Sequence, residues 1–533
     1  MRHLLKFAVC TALALPAGAH AAMPDLGQSA DQVFKQWATP STPGCAVGMR
    51  QGEGAPLLRA YGMADLEHGV ANTPDTVFEA GSASKQFTAA AILLLARDGK
   101  LALSDDVHKY LPALPDYGQP MTLEHLLTHT SGLRDWGSLV EMGGWPRGTR
   151  NFSMEQALEL VQRQRALNFP SGQRFSYTNT GYVLLAAIVE KVSGKALPAF
   201  TRERLFAPLG MAHTQWRDNF RRVVAGRAIA YSAAGSGFEQ DMPFEDVIGH
   251  GGLLTTVGDL LRWNQALNED RLGISAQLAH KTPLPGGAVS NYGRGLGLRS
   301  YRGASEISHN GATAGYRSWL GRFAQQGLSI AVLCNAGNVN PDKVAHELAQ
   351  AALALPPEVA PAALAAPEAP GYAGKFFSDL DGKVIELAYR DASLTLDKGP
   401  ALRALGGAAF AIRSGSFVFA DRDHFVSASP DGETVHYQHV AAGAPDATAL
   451  AAFAGRYHSD EVAATYQLSV AGKALVFSLV GKADWVYTLT ALAPDSFGGD
   501  DLLLRFKRDA GGHVIGLETS SARLFGLAFK KID

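Results

Sequence analysis

The sequence predicts an α/β domain, a sheet flanked by helices, followed by two small all-β barrel domains. Three observations carry that reading. Up to residue 354, strand-like and helical segments alternate along the chain. Residues 355–370 are then rich in Ala and Pro with little amphipathic pattern, and read as a linker. Beyond them, short alternating strands with Gly and Asp turns replace almost every helix signal. At 533 residues the chain exceeds one compact domain, and with 47% hydrophobic and 18% charged residues it can bury a sizeable core.

Residues 1–21 have the pattern of a secretory signal. Arg2 and Lys6 form a positive start, residues 7–15 an apolar core, and Ala19-His20-Ala21 a small-residue cleavage site. Cleavage near Ala21 removes two basic residues and no acid, which takes the formal charge from −2 to −4. That balance offers no basic surface for nucleic acid. No later apolar run reaches the length of a membrane span, so the expectation is a periplasmic or secreted protein without a stable membrane anchor. Cys10 lies inside the apolar core rather than after it, which argues against lipidation. Cys45 and Cys334 each lie in a strand-like run; they can pair in an oxidising compartment, but two buried free thiols is the preferred reading.

Residues 22–354 form the mixed domain. Residues 86–98 read as a strongly buried helix ending near Gly99. Residues 182–192 read as another, entered through Asn179-Thr180 as caps and stopped by Gly194. A third covers 257–267. Strands are expected at Ile307, at 316–323 and at 328–333, with a closing helix at 344–353. After the linker, Tyr372-Ala373-Gly374-Lys375-Phe376-Phe377-Ser378-Asp379 recurs as Phe453-Ala454-Gly455-Arg456-Tyr457-His458-Ser459-Asp460, 81 residues later. The two copies assign residues 371–445 and 446–533 to two barrels, joined at residues 442–445.

Three polar groups carry candidate chemistry. Ser82-Ala83-Ser84-Lys85 opens the first helix, and residues i and i+3 share a helix face, so a hydroxyl and an amine meet. A desolvated lysine can take the serine proton and make the oxygen a nucleophile. Tyr177-Thr178-Asn179 precedes the second helix, and residues two apart in an extended loop point the same way. A phenol beside an amine can relay a proton to a leaving group. His309-Asn310-Gly311 follows the short strand Ile307-Ser308, where a glycine admits substrate to the backbone and the Ala312 amide can donate to an oxyanion.

In that order, Ser82-x-x-Lys85, Tyr177-x-Asn179 and His309-x-Gly311 resemble the three motifs of the serine β-lactamase and penicillin-binding superfamily. The segments His125-Leu126-Leu127-Thr128-His129-Thr130-Ser131-Gly132 and Gly251-Gly252-Leu253-Leu254-Thr255-Thr256 support the likeness, which covers roughly residues 25–355. It looks nearest to class C β-lactamases, D-aminopeptidases and related esterases, and implies the antiparallel sheet flanked by helices of the β-lactamase and DD-peptidase fold. The resemblance implies Ser82 as acylated nucleophile, Lys85 as its base, Tyr177 as proton relay and Asn179 as a contact to the substrate amide. His309 stands where many relatives carry lysine, and the amides of Ser82 and Ala312 would form the oxyanion hole. Acyl transfer to water then needs no metal or organic cofactor. A histidine is mostly neutral near pH 7, so carboxylate-bearing lactams are disfavoured. Arg317, with Gly311 in the substrate wall, can restore a positive charge. D-aminopeptidases of this family also carry two C-terminal barrels, with a loop of the last reaching the site. Asp495, in Asp495-Ser496-Phe497-Gly498-Gly499-Asp500-Asp501, is the candidate for binding a substrate ammonium.

Two other patterns carry no site. His125 and His129 follow Glu124 in the wrong order for a zinc motif and read as packing residues. Gly293, Gly295 and Gly297 lack the spacing and the helix of a dinucleotide site, and read as a strand crowded against backbone. The leading expectation is an exported serine hydrolase of small D-amino-acid peptides or amides. An esterase or weak β-lactamase, and a non-catalytic cell-wall sensor, are the alternatives.

Overall fold

A computed structural model describes residues 25–356, 364, 366–412, 415–441 and 447–532. The expected signal segment, much of the linker and the 442–445 join lie outside the described residues. No helix among the described residues is long and apolar enough to cross a membrane.

Six antiparallel strands build the sheet of the first domain, in the order Gly297–Tyr301, Ala304–Thr313, Tyr316–Phe323, Leu328–Cys334, Cys45–Gln51, Leu57–Tyr61. Leu328–Cys334 is buried along its whole length because both faces of the sheet are covered. The first and last helices of the domain, Leu26–Val33 and Pro341–Leu353, cover one face around Trp319, Phe323 and Leu348. Val257–Asn268 covers the other, and behind it Lys85–Arg97 packs on Thr180–Ser193. Lys85–Arg97 is buried from Lys85 to Leu95, as an apolar run with no polar stripe requires. Thr180–Ser193 stops at Gly194, in the left-handed region at φ 71°. The closing helix starts three residues before the expected 344, because Asn340 caps the Lys343 amide and Pro341 fits the first turn.

Two expectations about strands change. His309, Asn310 and Gly311 do not follow a short strand that ends at Ser308. They lie within Ala304–Thr313, paired residue for residue with Tyr316–Phe323 up to Thr313 and Tyr316. Gly293 and Gly295 belong to a loop, not a strand; Gly297 alone of the three is in one. A Cβ on Gly295 would lie 3.0 Å from the Gln86 nitrogen, so the loop presses on the nucleophile helix.

Cys45 and Cys334 are not free thiols. They face each other across the pairing of Cys45–Gln51 with Leu328–Cys334, at a Cα separation of 4.0 Å, and form a disulfide. The sequence places each on a strand but not the two strands side by side.

The C-terminal units share one meander. Strands Gly455–Ser459, Ala464–Ala471, Ala474–Leu479, Val486–Ala493, Ser496–Gly499, Leu502–Arg508, Val514–Ser521 and Leu524–Lys531 close into a barrel. The first unit is a half-barrel of eight strands whose first and last, Gly374–Ser378 and Thr434–His439, pair. Between Ser393–Leu396 and Arg403–Gly406 the pairing thins to a bridge from Thr395 to Ala401. The repeated sequence opens each unit, and its Phe376 and Tyr457 are wholly buried in the two cores.

Both units dock on the catalytic domain. Arg134 bonds Glu461 at 2.7 Å in a buried pair and donates to the carbonyls of Phe525 and Gly526 in the last barrel. Arg299 pairs with Asp431 at 2.8 Å, and Arg174 donates to the Thr434 carbonyl at 2.7 Å, in the first.

The disulfide closes a 289-residue separation in the chain. Its loss, by reduction or by C45S with C334S, is expected to lower unfolding free energy by about 2–5 kcal/mol. Thermal melts with and without reductant measure this, and an unchanged Tm would mean that strand pairing alone holds the junction.

Candidate active site

Ser82 lies in a 3-10 turn, Gly81–Ser84, that runs directly into helix Lys85–Arg97. Two glycines bring this turn against the strand carrying the third motif. A Cβ on Gly311 would lie 2.1 Å from the Ala80 carbonyl oxygen and 3.0 Å from the Ser82 nitrogen. Gly81 has φ 51°, and a Cβ there would lie 2.8 Å from the Ala312 nitrogen. The backbone at Ser82 and at Ala312 is thus packed close together, and both residues line the cavity where an oxyanion would form.

Lys85 is fully buried, with Nζ 3.2 Å from Ser82 Oγ. It donates to Asn179 Oδ1 at 2.9 Å and to the His250 carbonyl at 2.7 Å. Burial holds its pKa well below the usual lysine range, Arg523 and Arg147 push the same way, and only Asp135 opposes. A neutral amine has two N–H bonds and one lone pair. Asn179 and His250 take the two N–H bonds, which leaves the lone pair for the Ser82 proton. Asn179 gives up the side-chain capping expected of it, and its amide N–H instead donates to Asp135 Oδ2 at 2.7 Å. With Oδ1 committed to Lys85, the Asn179 amide group offers substrate a donor rather than an acceptor.

Tyr177 closes the other side. Its ring lies tilted with its centre 4.1 Å from that of His129, and its buried hydroxyl, next to that of Ser82, has no close hydrogen-bond partner among the described residues. Burial raises the phenol above its ordinary range, the neighbouring Ser82 hydroxyl and Arg523 offset part of the rise, and it stays protonated. It is thus a proton donor without an acceptor, beside the nucleophile. His129 accepts from the Thr178 amide at 3.2 Å and His125 from the Thr122 amide at 3.2 Å, so both serve local structure.

His309 is also buried. Nε2 lies 3.0 Å from the Tyr292 hydroxyl and Nδ1 2.5 Å from the Asn310 carbonyl, which assigns the proton to Nδ1. Burial pushes it down to about 3, so it is neutral at any ordinary pH. No permanent charge stands where related motifs place a lysine.

Ser82, Tyr177, Asn179, His309, Gly311 and Ala312 line one cavity of about 480 Å³. Arg317 lines it too, but its guanidinium is tied to the carbonyls of Ala314 and Tyr316 at 2.6 and 2.8 Å. Asp495 does not reach it. Asp495 sits in a turn of the last barrel and pairs at 2.7 Å with Arg508, two barrel strands away in sequence. The C-terminal residues that do line the cavity are Ser429, Asp431 and Glu433 of the half-barrel and Arg523 of the last barrel. Glu433 accepts from Ser176 Oγ at 3.2 Å, next to Tyr177, and burial raises its pKa. Ser-Pro-Asp-Gly-Glu reads as an ordinary β-turn in sequence, so Asp431 and Glu433 carry no local signal.

The family described as Beta-lactamase matches residues 30–355. The chain is 28% identical to a D-aminopeptidase of Brucella canis over 520 residues, covering 92% of this chain and 96% of that protein. It is 28% identical to a D-aminopeptidase of Cereibacter sphaeroides, covering 89% and 93%. In fold it is similar to an octameric penicillin-binding protein homologue from Pyrococcus abyssi, with TM-score 0.56 and 21% identity over 85% of this chain and 98% of that one. A D-amino acid amidase from Ochrobactrum anthropi gives TM-score 0.54 and 22% identity, covering 61% and 98%.

If Lys85 is the base, K85M keeps its volume, loses the lone pair, and lowers kcat by about 10²–10⁴-fold. The base is active when deprotonated, and its pKa is depressed. The wild-type rate should therefore be lost only as pH falls through that depressed value, not as pH falls below 10. A rate still climbing at pH 10 would contradict a neutral Lys85.

Proposed function

Given that the chain belongs to the Beta-lactamase family and is a serine hydrolase, we propose that its substrates are small peptides or amides with an N-terminal D-amino acid. The observation that carries this is the pairing of an uncharged catalytic centre with carboxylates at the cavity wall. The buried amine Lys85 on Ser82 supplies acyl transfer, and Glu433, beside Tyr177 at the cavity wall, supplies a partner for a substrate ammonium. The two relatives named D-aminopeptidase, which match over nearly their whole length, support the same reading.

The reaction follows from the contacts. Lys85 Nζ takes the Ser82 proton as Oγ bonds the scissile carbonyl carbon, and the carbonyl electrons move to an oxygen held by the Ser82 and Ala312 amides. As the tetrahedral carbon collapses, the C–N bond breaks and the leaving nitrogen takes a proton from Tyr177, which is restored from Lys85. Water then repeats the sequence on the ester, with Lys85 as base, and releases the acid and Ser82.

We also place the protein outside the cytoplasm. The signal-like residues 1–21 and the Cys45–Cys334 disulfide support this.

D- and L-alanyl p-nitroanilide, N-acetyl-D-alanyl p-nitroanilide, p-nitrophenyl acetate and a chromogenic cephalosporin form the test panel. The proposal expects turnover of the free-amine D-anilide, abolished by S82A, and weak activity on the acetylated form. E433Q should raise KM for the free amine by about tenfold and leave the acetylated substrate's KM in place. Activity on esters alone would overturn the assignment.

A further inference from the structure

Four arginines line the cavity: Arg147, Arg299, Arg317 and Arg523. Three are engaged. Arg147 is held by Glu245, Arg299 by Asp431 and Arg317 by the carbonyls of Ala314 and Tyr316. The guanidinium of Arg523 has no hydrogen bond or ion pair among the described residues. It lies over the ring of Tyr177, 5.0 Å from its centre. Neither cavity acid forms an ion pair with it: Asp431 is bound to Arg299, and Glu433, which accepts from Ser176 Oγ, feels the guanidinium only through space.

The backbone that presents this side chain is fixed. The Arg523 carbonyl accepts from the Asp135 amide at 3.1 Å and from Asn168 Nδ2 at 3.2 Å, and the Phe525 amide donates to Asn168 Oδ1 at 2.8 Å. Asp135 in turn holds the Asn179 amide. The turn between Val514–Ser521 and Leu524–Lys531 is thus keyed to the loop that carries Tyr177 and Asn179, while the arginine head stays free.

We propose that Arg523 anchors a substrate carboxylate on the leaving-group side of the scissile bond, so that the enzyme selects D-aminoacyl dipeptides with a free terminal carboxylate over their amides. The inference rests on the D-aminoacyl reading above. In such a dipeptide one carbon separates the leaving nitrogen from the carboxylate. The leaving nitrogen is the atom Tyr177 protonates, so the carboxylate falls beside the Tyr177 ring, where the guanidinium waits. A guanidinium lying on an aromatic face keeps its N–H edge open for a two-pronged carboxylate bond. The third motif supplies no charge for this task, because His309 is neutral there. The cavity's free cation comes instead from the last barrel.

The test compares kcat/KM for a D-alanyl-D-alanine dipeptide with that for the same dipeptide amidated at its C-terminus, in wild type, R523Q and R523K. The side chain is exposed, so these variants are expected to fold. Wild type should favour the acid by about tenfold. R523Q should erase that acid-to-amide ratio, mainly through KM, and R523K should keep part of it. A ratio unchanged in R523Q overturns the proposal. So does an equal loss on both substrates with the acid limb of the pH profile moved, which would mean that Arg523 acts through Lys85 alone. Wild-type inactivity on both dipeptides and on the D-anilide would remove the D-aminoacyl reading, and this proposal with it. Activity on the D-anilide without acid preference removes only the role of Arg523.

Discussion

The structure turns on a buried amine that has no carboxylate to pair with. An ammonium in that position would face a large desolvation penalty, so the free energy favours the neutral form. The fold creates this condition in several steps. A helix apolar on all sides carries Lys85 into the core, and the Gly295 loop presses on its first turn. Asn179 and the His250 carbonyl satisfy the two N–H bonds. The His250 segment is itself anchored over a buried network in which Glu245 binds Arg147 and Glu79 binds Arg217. Each of those charges is paired, so the network supports the site without lending Lys85 a counter-ion.

Catalysis and recognition are divided by charge. At the centre, Lys85, Tyr177, His129 and His309 all favour their uncharged forms because they are buried. At the wall, Asp431, Glu433 and Arg523 arrive from the two C-terminal units. A neutral centre keeps proton transfers close to balanced, while formal charges stand at the rim of the cavity. The C-terminal units therefore complete the substrate cavity and do not merely append to it.

Much of this was legible in the sequence, and the limits have physical causes. The Ser82 and Lys85 pair, the Tyr177 loop and the His309 motif are local patterns, and each holds its meaning within a few residues. The repeat of Tyr372 at Phe453 marked two copies of one β-unit because the same core positions recur. The disulfide was missed because it depends on which strands become neighbours across most of the domain. The sequence points to Asp495 and gives no sign of Arg523 for a similar reason. Which turn of a barrel faces the site is set by docking contacts such as Arg134 with Glu461, and these join residues more than three hundred positions apart. No local signal marks a lone arginine in Ser520-Ser521-Ala522-Arg523 as part of an active site.

The central claim is that Lys85 is a free base when Ser82 reacts. The direct measurement is a pH titration of the Lys85 side chain by NMR, with carbon-13 at lysine Cε and K85M to assign the signal. A Lys85 resonance that turns neutral well below the pH at which the other lysines lose their charge is expected. A Lys85 that titrates near 10.5 with its neighbours, or stays charged throughout, would contradict it.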